Sequence, residues 1–177
     1  MAENAKPYSG RCREPRKDMA PEDVVRLLDR LERQSFSIWL DGGWGVDALL
    51  EEQTRPHDDL DIVVPLDEVA RLQQELEQHG YRLAGGEAPL SFEMVDIDGR
   101  QIDIHPVVFT DDGDGIYRMS NGKIWLYPAA GFDGTGSIAG RTVRCLTPEV
   151  QVLCHSGYEL GDENERDLKA LAARFGV

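Results

Sequence analysis

Two neighbouring segments of the 177-residue chain decide its fold: WLDGGWGVDALL, residues 39–50, and HDDLDIVVP, residues 57–65. The first predicts a short strand, Phe36–Asp41, which a Gly-Gly turn breaks before a short helix begins. The second predicts a strand that a proline ends. Because alternate residues of a strand point to the same side, Asp59 and Asp61 present two carboxylates side by side, while the apolar residues around them face the core.

This pair of carboxylates predicts a metal site. Two anions held this close repel each other unless a cation lies between them, and Mg²⁺ takes oxygen ligands that include phosphate oxygens. A third carboxylate, Asp103, lies in RQIDIHPVVF, a strand that can pair beside the first. Three acids on adjacent strands would hold two metal ions about 4 Å apart, as in-line phosphoryl transfer requires. The Gly42-Gly43 turn lets backbone amides approach a phosphate closely.

The rest of the chain alternates helical and strand patterns. Apolar residues recur at helical spacing after Pro21, through residues 66–80, and again over residues 149–160 and 162–175. Strands are predicted at YRLA, SFEMVDI, RQIDIHPVVF, IYRM, KIWLY and RTVRCL, with hairpin turns at Asp98-Gly99 and Asn121-Gly122. The pattern predicts an α/β (α+β) fold, with a mixed β-sheet flanked by helices and further helices at the C-terminus.

Composition divides the chain into three parts. Residues 1–20 are polar, locally basic and lack any period, which is typical of a disordered leader. The alternative for this leader, an arm for an anionic partner, has only its basic residues in its favour. Residues 21–147 are expected to form the core, and residues 148–177 a C-terminal helical segment packed on that core.

The charge balance restricts the partners. Nineteen basic against 33 acidic residues give a formal net charge of −14 and a pI near 4.6. A nucleic-acid binder needs a basic face to neutralise phosphates, so we expect no nucleic-acid partner; an acidic surface suits a cationic one. No apolar run reaches the roughly 20 residues that span a bilayer, and the first twenty residues lack a secretory signal. Three scattered cysteines without a CxxC motif indicate reduced thiols and a cytoplasmic location.

The motifs together resemble one enzyme family. WLDGGWGVDALL, RPHDDLDI, IDIHPV, DDGDG and HSGYELGDENERDLKAL, between Ile38 and Leu171, look like the small lincosamide nucleotidyltransferases, with the aminoglycoside nucleotidyltransferases as cousins. Both belong to the DNA polymerase beta-type nucleotidyltransferase superfamily, in which a Gly-Gly or Gly-Ser turn precedes an Asp-x-Asp strand. The gap between glycines and aspartates is slightly longer here than in the general pattern. The resemblance implies the nucleotidyltransferase fold.

The resemblance assigns the catalytic carboxylates. Asp59 and Asp61 fall on the metal-binding pair of the family, and Asp103 falls on its third carboxylate. Three roles for Asp103 stay open: metal ligand, general base, or both. Glu93, on the neighbouring strand, is the second candidate for the base, with an exposed strand acid as its plain alternative.

The residues around the glycine turn match the family pattern as well. Gly42 and Gly43 fall on its phosphate-binding turn. Arg55 would offset charge on a triphosphate, or else form a surface salt bridge. His57 would donate to a phosphate or only fix the loop. Asp47 would touch the substrate or orient the glycine turn.

Three further residues are carried over with two possible roles each. His105 lies two residues after Asp103 and faces the same way, where it would bind substrate or serve as a structural histidine. Tyr158 would line the cleft, and Lys169 would reach the nucleotide phosphates. For both of these the alternative is an ordinary helix-face residue.

The resemblance implies a metal-dependent transferase. It would move a nucleoside monophosphate, AMP from ATP, onto a hydroxyl of a small cationic antibiotic, with two Mg²⁺ ions as cofactors. A lincosamide is the first expectation for the acceptor and an aminoglycoside the second. Because the chain is short for a closed acceptor pocket, we expect a homodimer whose interface helps to build it. The alternatives are a toxin-type nucleotidyltransferase that modifies tRNA or protein, and a non-catalytic nucleotide-binding module.

Overall fold

The structure, a computed structural model, describes residues 17–119, 121–155 and 161–177. The helices are α1 (Pro21–Arg33), α2 (Gly42–Leu50), α3 (Val69–Gln78), α4 (Pro148–Cys154) and α5 (Asp162–Phe175). The strands are β1 (Trp39–Leu40), β2 (Asp59–Pro65), β3 (Arg82–Gly86), β4 (Phe92–Val95), β5 (Gln101–Phe109), β6 (Gly115–Arg118), β7 (Ile124–Tyr127), β8 (Thr135–Ile138) and β9 (Arg141–Arg144). Short 3₁₀ turns cover Leu66–Glu68 and Ala129–Asp133.

Seven strands form one mixed sheet, in the order β1-β2-β5-β4-β3. β2 and β5 pair in parallel, and the other pairs are antiparallel. β6 and β7 continue the sheet from the far end of β5, where β4 no longer pairs with it. The sheet therefore forks into two hairpins, β3–β4 and β6–β7. The predicted mixed sheet with flanking helices is confirmed.

The two faces of the sheet have different coverings. On one face, Ile62 and Ile104 pack in a core with leucines of α1 and α3 such as Leu31 and Leu72. On the other face, a second cluster joins β2, β5, β6 and β7 to β1 and α4; its buried members are Trp39, Val63, Val107, Tyr117, Tyr127, Leu146 and Val150. This second face carries the acidic residues of β2 and β5, because they alternate with the core residues.

α2 is a nearly fully buried helix at the centre of the fold. Six consecutive residues, from Trp44 to Leu49, are buried, and the helix contacts β8, β2, α4 and α5. Gly136 of β8 makes this packing possible, since a side chain there would come within 2.1 Å of the Ala48 carbonyl oxygen. The rigid setting of α2 fixes the position of the turn at its N-terminus.

Most predicted elements are present, with three differences. The strand expected over Phe36–Asp41 is only Trp39–Leu40, because Phe36 leaves the sheet and packs under the Arg71 guanidinium. The helix expected after the glycine turn begins at Gly42 itself. β8 was not predicted from the sequence, although β9, its partner, was.

The structure describes only parts of the predicted N-terminal leader and of the predicted C-terminal helical segment. Residues 1–16 and 156–160 lie outside the described residues, so the leader stays a prediction, as does the middle of the C-terminal segment. α5 has the predicted bounds. In the described part of the chain, no helix is both long and apolar enough to cross a membrane. Cys145 and Cys154 have free thiols, and Cys12 lies outside the described residues.

Candidate active site

A cleft of about 350 Å³ opens at the N-terminus of α2, on the acidic face of the sheet. It is lined by the glycine turn, the loop before β2, β2 itself, β5 and the ends of α4 and α5. Its lining residues include Asp41, Gly42, Gly43, Arg55, His57, Asp59, Asp61, His105, His155, Glu163 and Asn164. The cleft therefore brings together residues of the two segments 39–50 and 57–65 with residues of α5.

Strand register places the acidic residues in one row. Asp61 of β2 lies directly opposite Asp103 of β5, and Asp103 lies opposite Glu93 of β4. Asp59 is two residues before Asp61 on the same face. The four carboxylates proposed from the sequence thus lie on three adjacent strands of one sheet face.

The carboxylates perturb each other. Burial raises the pKa of the Asp61 carboxyl to about 8; the nearby charge of His105 opposes this rise, and the charges of Asp59, Asp41 and Asp103 add to it. Burial also raises the pKa of Asp103, although its side chain accepts a hydrogen bond from Gln101. Burial and the neighbouring acids thus disfavour the charged forms of Asp61 and Asp103.

The glycine turn contacts this row at van der Waals distance. Gly42 has φ +58°, and a side chain at this position would lie 2.2 Å from Asp61 Oδ2. A side chain at Gly43 would lie 2.4 Å from His57 Nδ1 and 2.8 Å from an Arg55 guanidinium nitrogen. Glycine is required at both positions, because the backbone passes directly over the carboxylate and the loop.

One residue that sequence reasoning missed, Asp41, connects the turn to the sheet. Its buried carboxylate accepts hydrogen bonds from the Gly42 amide at 2.8 Å and from the Tyr127 hydroxyl at 3.1 Å. His105 lies between two acids, with Nδ1 3.6 Å from Asp41 and Nε2 3.7 Å from Asp61. Asp is a favoured residue immediately before a helix, and this preference was the available signal for Asp41.

The pKa shifts agree with this arrangement. Burial alone would raise the pKa of Asp41 and lower that of His105, but their mutual attraction reverses both directions. The shifts favour the charged forms of Asp41 and His105. Its ring also packs against Tyr117, with 5.1 Å between ring centroids. His105 thus lies within the acidic cluster and also lines the cleft, so the structure agrees with both roles considered from the sequence.

Asp47 is buried and is bound by the loop before β2. It is 2% exposed and accepts hydrogen bonds from the Thr54 amide at 3.1 Å and the Thr54 hydroxyl at 2.6 Å. It also pairs with the buried His57 ring. Because all these partners belong to the loop before β2, Asp47 and His57 fix that loop beneath the glycine turn.

Arg55 lies at the edge of the cleft and is held by α5. Its guanidinium lies 2.9 Å from Asp167 and 3.4 Å from Glu163. Burial would lower the pKa of Arg55, but Asp167 in particular raises it. The salt bridge expected as the alternative is present, and it leaves Arg55 among the lining residues of the cleft.

Lys169 is not brought to the cleft. Its side chain is 77% exposed and pairs with Glu165 at 3.2 Å. A helix turns by about 100° per residue, so Lys169 lies on the opposite face of α5 from Asp167, which contacts Arg55. Tyr158 lies outside the described residues.

Comparison with known proteins identifies the family. The model of the aminoglycoside-2''-adenylyltransferase family matches residues 23–171. The chain belongs to this family. A lincosamide resistance protein of Staphylococcus haemolyticus is 32% identical over 154 residues, which are 87% of this chain and 95% of that protein. A 2''-aminoglycoside nucleotidyltransferase of Klebsiella pneumoniae is 31% identical over 69% of this chain and 64% of that protein.

Solved structures of the family share the fold. The lincosamide antibiotic adenylyltransferase LnuA, solved with lincomycin bound, superposes with a TM-score of 0.79 at 30% identity, over 89% of this chain and 99% of LnuA. ANT(2'')-Ia, in complex with adenylyl-2''-tobramycin, gives 0.69 at 22% identity, over 86% of this chain and 87% of that one. The predicted lincosamide and aminoglycoside nucleotidyltransferase branch is confirmed, and with it an enzyme of the nucleotidyltransferase class.

The buried contacts of Asp47 give a testable stability difference. Asp47→Ala should lower the free energy of unfolding by about 2–3 kcal/mol, because Thr54 and His57 lose their buried partner. Glu52→Ala, which removes an exposed carboxylate from the same loop, should change it by less than about 0.5 kcal/mol. Urea denaturation measures both variants. Equal effects would contradict the loop-fixing role.

The raised pKa of Asp61 predicts a pH dependence of stability without divalent cations. Its pKa rises from 3.8 to about 8 on folding, so the unfolded chain releases this proton at lower pH than the folded one. The carboxyl therefore destabilises the fold increasingly as the pH rises through this interval. The stability advantage of Asp61→Asn over the wild type should grow from about pH 4 to about pH 8. Denaturation in a chelator measures it, and parallel pH profiles would refute the shift.

Proposed function

We propose that the chain transfers AMP from ATP to a hydroxyl of a lincosamide antibiotic. The observation that carries the proposal is the row of Asp61, Asp103 and Glu93 on adjacent strands, directly beside the Gly42 turn. A hydroxyl attacking the α-phosphorus needs such acids on one side and a phosphate-binding backbone on the other. Family membership and the similarity to LnuA support the same reaction.

The donor set fits a divalent cation. Within residues 17–119, 121–155 and 161–177, no three acidic, histidine or cysteine side chains already surround one metal position. The carboxylates nevertheless supply the oxygen ligands that Mg²⁺ prefers, and burial, together with the neighbouring acids, raises the pKa of Asp61 to about 8, so a cation bound there would favour its charged form. Asp59, Asp61 and Asp103 would hold the two ions. When bound, these ions would activate the attacking hydroxyl and neutralise the leaving pyrophosphate.

The nucleotide occupies the larger cleft in this proposal. Gly42 and Gly43 bring the backbone at the N-terminus of α2 to the triphosphate, where the helix dipole favours an anion. Arg55 brings a guanidinium nitrogen to within 2.8 Å of where a side chain at Gly43 would lie, and a triphosphate would compete with Asp167 for it. His57 supports the underside of the turn.

The acceptor occupies the fork between the two hairpins. A second cleft of about 170 Å³ lies there, lined by Glu93, Asp103, His105 and Tyr117 among others. It meets the nucleotide cleft at His105. Its acids suit an acceptor with an amine that is cationic at neutral pH. With Asp103 assigned to the metal, Glu93 is the better placed proton acceptor for the attacking hydroxyl.

The share of each relative's length that the chain matches favours one antibiotic class over the other as the acceptor. The chain matches 95% of the length of the lincosamide resistance protein, but 64% of the aminoglycoside nucleotidyltransferase. About a third of the latter protein thus has no counterpart in the match. We therefore place lincosamides before aminoglycosides as acceptors.

Two other functions receive less support. A net charge of −14 disfavours a tRNA substrate, since phosphate neutralisation needs a basic face. A non-catalytic nucleotide-binding module would not need Asp59, Asp61 and Asp103 together. We infer a cytoplasmic enzyme without a nucleic-acid partner, and filter binding of tRNA at low salt tests the second point.

A substrate panel tests the proposal directly. Purified protein is incubated with Mg²⁺, each of the four ribonucleoside triphosphates, and lincosamides or aminoglycosides, and the products are analysed by mass spectrometry. The expected product is a lincosamide heavier by one adenylyl group. Products with aminoglycosides alone would reverse the order of acceptors, and ATP consumption with no modified acceptor would contradict antibiotic transfer.

The metal assignment predicts the effect of two isosteric substitutions. Asp59→Asn and Asp61→Asn should each abolish nucleotidyl transfer without loss of folding, because they remove a proposed metal ligand and relieve carboxylate repulsion. Asp67→Asn is the matched control, since this exposed acid follows the other end of β2 and lines neither cleft. Steady-state rates and circular dichroism separate activity from folding. Near-normal turnover in either ligand variant would refute the assignment.

A further inference from the structure

An apolar patch covers the outer face of the sheet where β6 and β7 extend it. Val108, Ile116 and Leu126 lie opposite one another across three strands, and Ile124 follows on the same face of β7. Val108 is 43% exposed, Leu126 49% and Ile124 58%, while Ile116 is half-buried. Scattered exposed apolar side chains are ordinary, but a contiguous set marks an interaction surface.

The patch begins where the helices stop covering the sheet. On this face of β5, Ile102 and Ile104 are buried in the core that includes α1 and α3, and Pro106 is also buried. Val108, the next residue of the same face, is exposed. β7 pairs only with β6, so the patch ends at an edge of the sheet.

Charged residues of opposite sign lie at the two ends of the patch. Arg118 and Lys123, both exposed, lie beside the β6–β7 turn. Asp111 and Asp112, also exposed, lie in the turn between β5 and β6, at the other end of the same strands. A twofold axis that lies in the interface and runs perpendicular to the strands would place the basic end of one copy on the acidic end of the other.

We propose that a second copy of this chain packs on the apolar patch in this twofold arrangement. Two chains of net charge −14 repel each other overall, and the opposite charges at the ends offset this repulsion locally. A standard interface buries about 800 Å² per partner. The four apolar side chains form its centre and the charged turns its rim.

This dimer leaves each active site to its own chain. The patch lies on the opposite sheet face from Asp103, His105 and Tyr117, because the residues of β5 and β6 alternate between the faces. The second copy therefore does not border the acceptor cleft, in contrast to the interface expected from the chain length. The oligomeric state is also measured without substrate, so this inference stands or fails independently of the proposed function.

Sedimentation velocity of the full chain tests the patch. At about 100 µM, the wild type should sediment as a dimer and Leu126→Lys as a monomer with an unchanged circular dichroism spectrum. Ile97→Lys is the matched control: Ile97 is 90% exposed, lies in the β4–β5 turn, and should stay in a dimer. A monomeric wild type, or a dimeric Leu126→Lys, overturns the proposal; a monomeric wild type would leave the patch to a different partner.

Charge-reversal variants at the two ends of the patch test the twofold arrangement. They change exposed positions only, so they also test the dimer if Leu126→Lys fails to fold. Arg118→Glu with Lys123→Glu should raise the dimer dissociation constant at least about tenfold, and so should Asp111→Lys with Asp112→Lys. All four substitutions together should restore the wild-type constant, because opposite charges then meet again. Failure of the combined variant to recover overturns the twofold arrangement.

Discussion

The parallel pairing of β2 with β5 is the constraint on which the rest of the molecule depends. Its register sets Asp61 opposite Asp103. The neighbouring residues along each strand point to the other face, where Leu60 and Ile102 are fully buried in the core. A slip of one residue would bury the acids and expose the leucine and isoleucine. The same alternation that holds the sheet together therefore also concentrates negative charge on its other face.

The fold pairs part of this acidic row with a histidine. His105 lies between Asp41 and Asp61, and Asp41 in turn binds the first amide of α2 and the Tyr127 hydroxyl. Yet the pKa of Asp61 stays raised, to about 8. Burial and the nearby Asp59 and Asp103 disfavour the charged form of Asp61 on the cleft side, which is where the proposed cation would bind.

The features that could be predicted from the sequence are those set by periodicity and by local turn chemistry. Alternation placed Asp59, Asp61 and Asp103 on one face, and turn residues such as Asp98-Gly99 placed the hairpins. It could not predict which of several polar residues is buried, since this depends on long-range packing. Asp47 was expected equally well at the substrate or at the loop, and its burial against Thr54 favours the loop. The position of Lys169 relative to the cleft depended on the rotation of α5, which spacing alone does not fix.

The β6–β7 hairpin links the two faces of the sheet. Tyr117 and Tyr127 point inward, where Tyr127 holds Asp41 and Tyr117 packs on His105. Ile116 and Leu126, next to them along the same strands, point outward into the patch. Because a two-stranded extension has little stability of its own, a partner packed on the outward residues would stabilise the inward ones in place. A surface far from the reacting groups would then support the geometry of the acidic cluster without contributing a residue to it.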